Sequence, residues 1–377
     1  MMQRFFVTTL ALLGIPALTM AQGTISTQGF GYPPGGLSTR AGAAGGGFAE
    51  FDFSTPRNPS STLGWGRGGL YFQYEPEFRS VTSGPTTDNQ MTARFPIWMA
   101  GLQLGSRAMG TITASTLLDR TWATSVRGGQ ILGADSVGYQ ERVESNGAIN
   151  DIRAGVAYSV STNFSVGFGL HGYTGENRLT LRRQYDDSLV YGTLNRALTI
   201  SYLGSGISGG ATWRVHKDVA VAASIKTGGS LEVSIGDTAV ASGRMPTRFG
   251  AGVRYDGFPG ISIGLSVDRM GWSSMDELLQ SDLHASDTWE LGTGIEATGP
   301  KLRNVPMLLY LGFRQRDLPF HVGTEVPRER FYSGGWGIPL AGPRVVLDMA
   351  VQRATRGPVE GVSESAWIFS MGFTVRP

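Results

Sequence analysis

The decapeptide ISIGLSVDRM (residues 261–270) alternates apolar and non-apolar side chains with a period of two. The same alternation recurs in FSVGFGLHG (residues 164–172), VVLDMAVQR (residues 345–353) and WIFSMGFTV (residues 367–375). A period of two predicts β-strands with one apolar face. The other face consists mainly of Gly, Ser, Ala and Thr rather than Lys and Glu. Small and polar side chains opposite a continuous apolar face are typical of transmembrane barrels, whose outer face meets lipid.

Extending this pattern along the chain predicts about fourteen strands. They cover residues 66–80, 92–105, 108–127, 148–160, 164–176, 194–215, 219–234, 243–256, 261–272, 286–298, 304–316, 330–340, 344–355 and 364–377. Long polar joins, near 128–147, 177–193, 273–285 and 317–329, alternate with tight ones at Ser161–Asn163, His216–Asp218 and Ala341–Pro343. Bacterial barrels alternate long extracellular loops with short periplasmic turns. We therefore expect an all-β fold, a transmembrane antiparallel β-barrel over residues 66–377.

The N-terminus predicts export. Residues 1–21 contain a basic Arg4, an apolar stretch from Phe5 to about Leu18, and small residues before Ala21, which is the pattern of a secretory signal peptide. The chain has no cysteine, and its net charge of +2 comes without a basic stripe, so neither a disulfide framework nor a nucleic-acid partner is expected. With a barrel, these features predict the bacterial outer membrane as the location.

Two enzyme-like motifs lie in the wrong context. GSGISG (residues 204–209) matches a dinucleotide fingerprint, but an alternating strand follows it where a helix is required. GISIG (residues 260–264) matches a nucleophile motif, yet Ser262 lies inside a strand; His171 is a conceivable base, and a chance match is the favoured interpretation. The four histidines lack metal-ligand spacing. We expect no enzyme activity, no metal and no cofactor.

Five charged residues are predicted to face the lumen. They are Arg153, Asp268, Arg314, Arg316 and Asp348. The favoured interpretation is that they pair with other charges and hold the wall, because buried charges need partners. The alternative is that they select what passes.

Residues 22–65, which we call the hatch, precede the first predicted strand and are rich in glycine and alanine. A barrel of about fourteen strands has a lumen wide enough to leave an aqueous channel unless it is filled. We therefore expect the hatch to fold back and plug the lumen. Phe48, Phe51 and Phe53 would then contact an apolar ligand or pack the plug, and packing is the preferred interpretation.

LSTRAGAAGGGFAEFDFSTPRNPSS (residues 37–61) resembles the N-terminal hatch of the FadL/TodX family of outer-membrane transporters for long-chain fatty acids and other hydrophobic compounds. The matching positions are Ser38, Arg40, Ala41, Gly45, Gly46, Asp52, Asn58 and Pro59. The final strand, GFTVRP, is similar to a barrel-assembly signal. The chain departs from the family pattern in having Ser60 after Asn58-Pro59, Phe53 after Asp52, and Pro377 as its last residue.

The resemblance implies passive uptake of a hydrophobic small molecule that binds near the hatch and leaves sideways into the bilayer. In the family the wall gap lies at the third strand, where Gly105 and Gly110 are the candidates in this chain. Outer-membrane lipid, lipopolysaccharide and the barrel-assembly machinery are the implied partners. A second function stays open, because related PorV-like barrels act as partners in outer-membrane secretion complexes.

Overall fold

The computed structural model describes residues 25–27, 29–133, 135–279, 284–302, 305–341 and 344–377. The predicted signal peptide, residues 1–21, lies outside the described residues. No helix in the described part of the chain is long and apolar enough to cross a membrane.

Seventeen strand segments make up most of the described part of the chain. They are β1 (Gly68–Ser83), β2 (Thr86–Arg94), β3 (Ile97–Gln103), β4 (Ala108–Asp119), β5 (Trp122–Leu132), β6 (Asp135–Ser159), β7 (Phe164–Tyr185), β8 (Leu194–His216), β9 (Val219–Ile235), β10 (Thr238–Arg244), β11 (Arg248–Phe258), β12 (Ile261–Met270), β13 (Thr288–Leu302), β14 (Val305–Asp317), β15 (Arg328–Pro339), β16 (Val345–Val359) and β17 (Val362–Val375). One α-helix, α1 (Thr39–Ala43), and three 3₁₀ helices (Ile25–Thr27, Pro59–Trp65 and Trp272–Leu278) accompany them.

The segments form a closed antiparallel barrel of fourteen strands, as predicted. Three pairs of segments, β2 with β3, β4 with β5, and β10 with β11, each lie along a single neighbouring strand and so count as one interrupted strand. Two of the interruptions contain Pro96 and Pro246, which have no N–H to donate to a ladder. Pairing of β1 with β17, which begins at Leu70 and Val375, closes the barrel.

Two predicted joins are wrong. Most of residues 128–147, and residues 177–185, are not loops but continue β5, β6 and β7. A polar sequence without an apolar face predicts a loop. In the barrel this extension instead carries polar pairs along its strands, such as Arg142 Nε donating to Glu144 Oε1 at 2.5 Å. We call the end that carries the turns at Ser161–Asn163 and His216–Asp218 the periplasmic end, following the general arrangement of such barrels.

The hatch lies inside the barrel. Ser38 caps α1 by accepting a hydrogen bond from the Ala41 backbone N–H at 3.0 Å, and its hydroxyl also donates to Asp52. Asn58 caps the 3₁₀ helix Pro59–Trp65, accepting from the Ser60 N–H at 2.9 Å, and donates to the Glu50 carbonyl at 3.0 Å. The Asn58-Pro59 motif therefore starts the short helix that leads from the hatch to β1.

Glycine allows the hatch backbone to lie directly on the wall. A Cβ added at Gly294 would lie 2.0 Å from the Ala44 carbonyl oxygen, and one at Gly312 would lie 2.0 Å from the Gly45 nitrogen. Gly45 itself has a φ of 58°, a left-handed conformation that favours glycine. This contact accounts for part of the high glycine content, 55 of 377 residues.

Candidate functional site

Four of the five predicted lumen charges have partners inside the barrel. Arg57 of the hatch donates to Asp268 at 2.6 Å, and Arg316 donates to Glu329 at 2.6 Å. Arg314 lies 3.6 Å from a Glu290 carboxylate oxygen, and Asp348 accepts a hydrogen bond from the Tyr310 hydroxyl at 3.0 Å. For these four the arrangement matches the wall-holding interpretation.

Arg153 is different. Its only hydrogen bond among the described residues is from Nη1 to the Pro56 carbonyl of the hatch, at 3.1 Å. The side chain is buried, 1% exposed, and no carboxylate of the described residues forms an ion pair with it.

Hatch residues also enter this charge network. Arg57 donates to Glu290 at 2.7 Å in addition to Asp268. Burial by itself lowers the pKa of the Arg57 guanidinium, but the carboxylates of Asp268 and Glu290 raise that pKa above its ordinary value, so Arg57 stays charged. Arg40, the other hatch arginine, pairs with Glu296. These ion pairs hold the hatch against the barrel wall.

Tyr32 is the centre of the most highly charged region. The guanidinium carbons of Arg94, Arg316 and Arg356 lie 5.1, 5.0 and 4.7 Å from its ring centroid, within cation–π distance. Its hydroxyl donates to Glu329 at 3.0 Å. Tyr32 therefore anchors the start of the described hatch.

The hatch phenylalanines have unequal surroundings. Phe48 is buried with Tyr310 and Ala350. Phe53 packs edge-on against Trp65, with ring centroids 5.0 Å apart. Phe51 alone of the three lines a cavity, at the periplasmic end. The structure thus places two of these side chains in packing contacts.

An apolar region inside the barrel was missed by the sequence analysis. We call it the luminal apolar cluster: Phe30, Leu118, Ile149, Tyr173, Tyr202, Leu231, Val233, Met245, Trp272, Met275, Ala285 and Phe320. Trp272 and Met275 come from the 3₁₀ helix of the loop between β12 and β13. The sequence signal that could have revealed the cluster is the loss of strict alternation, as at Leu117-Leu118.

A cavity of about 100 Å³ adjoins this cluster. Leu117, Met270 and Trp272 contribute apolar wall, and the rest of the lining mixes charged residues with uncharged Pro, Gly, Ser and Thr residues. The charged residues are Arg57, Asp151, Lys226, Arg248, Asp268, Glu290, Arg316 and Asp317. Four of them are basic and four acidic, so the lining carries no formal net charge.

The wall is discontinuous beside this cavity. In the described residues β2 forms a ladder only with β1, and β5 only with β6. Pairing between β3 and β4 stops at Ile97 and Ser115, after which one bond runs from the Thr116 N–H to the Pro96 carbonyl at 3.0 Å. Beyond that point β2 and β5 face each other unpaired, and we call this opening the wall gap.

The base of the wall gap is closed by side chains and by the hatch. Arg94 Nε donates to the Asp119 carboxylate at 2.5 Å. The Tyr32 N–H donates to the Asp119 carbonyl at 2.8 Å, and the Asp119 N–H donates to the Tyr32 carbonyl at 2.7 Å. The two backbone bonds form a single antiparallel β-bridge between the hatch and the end of β4.

The two glycines proposed from sequence for a gap lie elsewhere. Gly110 is paired on both sides, with Leu102 and Val156. Gly105 lies in the turn between β3 and β4, at the periplasmic end. The third strand is interrupted further along, at Arg120-Thr121.

The motif residues fall into separate networks. The Ser262 hydroxyl donates to Asp256 Oδ1 at 2.6 Å. His171 Nδ1 lies 2.6 Å from Asp151 and Nε2 lies 2.8 Å from the Ser208 hydroxyl, so His171 is not placed beside Ser262. Within the described residues, no group of three His, Asp or Glu side chains is arranged to hold a metal.

These features define a class: a fourteen-stranded barrel with an internal hatch, an apolar luminal region and a discontinuous wall. Solved structures of this fold include a Pseudomonas aeruginosa FadL homologue (13% identity, TM-score 0.62, covering 90% of this chain and 98% of that one). The CymD monoaromatic hydrocarbon channel is also similar, with 14% identity and a TM-score of 0.56, and the match covers 91% of this chain and 98% of that one. The Ralstonia pickettii toluene transporter TbuX has 15% identity and a TM-score of 0.56, and the match covers 90% of this chain and 98% of that one. At these identities the likeness shows the fold, which is that of the FadL-type channels. No protein-family model matches the sequence, and no curated protein matches it.

Proposed function

We propose that the protein is an outer-membrane channel for passive uptake of hydrophobic compounds, such as long-chain fatty acids, with release through the wall gap into the bilayer. The observation that carries the proposal is the luminal apolar cluster, which lies beside the gap. A lumen built for polar solutes gains nothing from a dozen buried apolar side chains, whereas an apolar solute gains roughly 25 cal/mol for each Å² that it removes from water.

The cluster and the wall gap are continuous. Leu118, a cluster residue, immediately precedes Asp119 at the base of the gap. Phe30, also of the cluster, belongs to the hatch two residues before Tyr32. An apolar solute would therefore leave the cluster at the base of the gap, where Tyr32, Arg94 and Asp119 first have to separate.

Release needs the gap to widen at its base. Because β2 and β5 share no ladder, the backbone bonds to be broken there are the two between Tyr32 and Asp119. Movement of the hatch start, together with the Arg94–Asp119 pair, would open the base while the rest of the barrel keeps its hydrogen bonds. Hatch displacement and lateral release are thus one step in this mechanism.

Export by residues 1–21, residence in the outer membrane beside lipid and lipopolysaccharide, and insertion by the barrel-assembly machinery belong to the same proposal. Two of the similar structures are a monoaromatic hydrocarbon channel and a toluene transporter, which supports an apolar substrate class for this chain.

Cross-linking across the wall gap tests the proposal. The chain has no cysteine, so Thr92→Cys with Thr124→Cys would be the only thiols. Cleavable bis-thiol reagents of increasing length would be applied, and uptake of labelled oleate or toluene into vesicles containing the protein would be measured. We expect uptake to fall on cross-linking and to recover on cleavage.

The matched control joins Thr82→Cys and Thr87→Cys, which are paired within the β1–β2 ladder, and should leave uptake unchanged. Normal uptake with the gap cross-linked would refute lateral release. Uptake no faster than in protein-free vesicles would refute transport altogether and leave the PorV-like partner role.

A further inference from the structure

The cavity that Phe51 lines is the largest described space inside the barrel, and we call it the vestibule. Its volume is about 700 Å³, within the range of about 300–1,000 Å³ that is typical of small-molecule sites. It lies between the 3₁₀ helix Pro59–Trp65 of the hatch and the wall. The turn at Ser161–Asn163 and the turn between β3 and β4 contribute to its lining, which places the vestibule at the periplasmic end.

The hatch separates the vestibule from the luminal apolar cluster. A Cβ added at Gly167 would lie 2.4 Å from the Pro59 carbonyl carbon, and one at Gly210 would lie 2.1 Å from Asn58 Oδ1. The hatch backbone therefore lies directly on β7 and β8 beside the vestibule. Among the described residues, none lines both the vestibule and the cavity beside the cluster. The vestibule is thus a separate space with its own chemistry.

The lining of the vestibule is basic. Its described residues include no Asp or Glu, and its arginines are Arg67, Arg107, Arg214 and Arg254. Arg254 Nε donates to Asp256 Oδ1 at 2.8 Å, and Asp256 lies outside the lining. The other three arginines are exposed and form no ion pair within the described part of the chain. Because a guanidinium stays protonated in proteins, the vestibule carries a lasting excess of positive charge.

The uncharged part of the lining is mostly polar. Ten further lining residues are Ser, Thr, Asn or Gln, against six with apolar side chains and three glycines. Hydroxyl and amide groups donate hydrogen bonds to oxyanions. A long apolar chain would gain little in such a space, so the lining favours a polar ligand.

The four guanidinium groups surround one small space. A sphere of 700 Å³ is about 11 Å across, comparable with the screening length of about 8 Å at physiological ionic strength. Several arginines therefore act on the same solute. A concave surface of one charge also raises the local concentration of the opposite ion. Guanidinium groups pair with carboxylates and phosphates through two parallel hydrogen bonds, and a solute with several such groups can use more than one arginine.

We propose that the vestibule is a binding site for a small polar solute with two or more negative groups, carboxylate or phosphate. Arg67, Arg107 and Arg214 supply the unpaired positive charge, and the hydroxyl-rich lining supplies further donors. The proposal does not rest on the uptake function, because the vestibule is separate from the luminal apolar cluster and from the wall gap.

Binding is measured by calorimetry on the purified full chain in a neutral detergent. Citrate and pyrophosphate are the multivalent probes, acetate is the monovalent probe, and decanoate is the amphiphilic one. The test variant combines Arg107→Gln with Arg214→Gln. Arg182→Gln is the control, because Arg182 is exposed on β7 and does not line the vestibule. Folding of each variant is checked by heat-dependent gel migration.

We expect citrate or pyrophosphate to bind at least tenfold more tightly than acetate. The double substitution should weaken that binding by about tenfold or more, because charged hydrogen bonds are the stronger ones, and Arg182→Gln should leave it unchanged. Tighter binding of pyrophosphate would assign the ligand to the phosphates, and tighter binding of citrate would assign it to the polycarboxylates.

A single cysteine reports on the vestibule directly. The chain has no cysteine of its own, and Thr162 is an exposed residue of the lining. Thr162→Cys would be modified with an anionic and with a cationic methanethiosulfonate, each rate being divided by the rate with 2-mercaptoethanol. We expect the anionic reagent to be favoured, citrate to slow its reaction, and the preference to fall at high salt.

Three results would overturn the proposal. The first is that neither citrate nor pyrophosphate binds to the folded wild type. The second is that the folded double variant binds both as tightly as the wild type does. The third is that decanoate binding depends on Arg107 and Arg214 while the multivalent anions do not bind, since the site would then serve an amphiphile.

Discussion

A single methyl group at Gly294 should detach the hatch from the wall. Ordinary contact begins near 3.4 Å, and the Cβ of an alanine would lie 2.0 Å from the Ala44 carbonyl oxygen. The hatch must then withdraw by about 1.4 Å at a point where two backbones meet and no side chain can rotate away. Overpacking of this kind costs about 1–3 kcal/mol.

This cost falls on hatch docking and not on the barrel ladder, because the clash is with the hatch alone. At roughly 1.4 kcal/mol for each factor of ten, the docked hatch should lose about 5- to 150-fold in population against undocked forms. Cleavage of a transiently opened segment follows the open population. Trypsin should therefore cut Gly294→Ala faster than wild type after Arg40 and Arg57, which the docked hatch protects.

Gly209→Ala is the matched control, because its Cβ would come no closer than 3.9 Å to another atom. The barrel of both variants should remain resistant to heat and detergent. Cleavage of the Gly294→Ala hatch at the wild-type rate would contradict this prediction. Unfolding of the barrel while the hatch stays protected would contradict it as well.

Three further outcomes are expected. Replacing Trp272 of the luminal apolar cluster by alanine should weaken binding of an apolar probe such as toluene by tenfold or more in calorimetry, and unchanged affinity would exclude the cluster as the ligand site. Arg356→Met leaves three buried glutamates without their shared guanidinium and should lower the free energy of unfolding by about 3–5 kcal/mol. The control Arg142→Met removes an exposed pair and should change the free energy of unfolding little. Equal effects of the two substitutions in denaturant melts would contradict this. The Ser273 hydroxyl and Arg269 lower the pKa of Asp287 below its ordinary value of 3.8, so the loop they hold should keep its protease resistance above pH 3.8 and lose it as the pH falls through the lowered pKa; loss already at pH 6 would refute the role.

Much of the fold could be predicted from local pattern. Every second residue of a lipid-facing strand must be apolar, and that rule acts on each segment by itself, as ISIGLSVDRM shows. The predicted strands therefore correspond to the fourteen barrel strands, but they miss most of β2 and β10 and the extensions of β5, β6 and β7. There the bilayer imposes no alternation, and a polar strand looks like a loop.

The site was less predictable. Asp268 could be placed in the lumen from its position in an alternating strand, but its partner Arg57 is 211 residues away in the chain. The luminal apolar cluster combines residues of five strands with Met245 from the interruption between β10 and β11, residues of two loops, and Phe30 of the hatch. No local pattern specifies such a combination.

The sequence by itself therefore determined the elements: strands, faces, turns, and a glycine-rich segment suited to close packing. Tertiary structure decided which glycines contact the hatch backbone, that Arg153 has no carboxylate partner among the described residues, and where neighbouring strands of the wall stay unpaired. Barrel closure is the physical reason. The contacts between distant residues form only when β1 pairs with β17 and the hatch enters the lumen. Gly105 and Gly110 were candidates for the gap in the sequence, but in the folded barrel the gap lies beside Pro96 and Asp119.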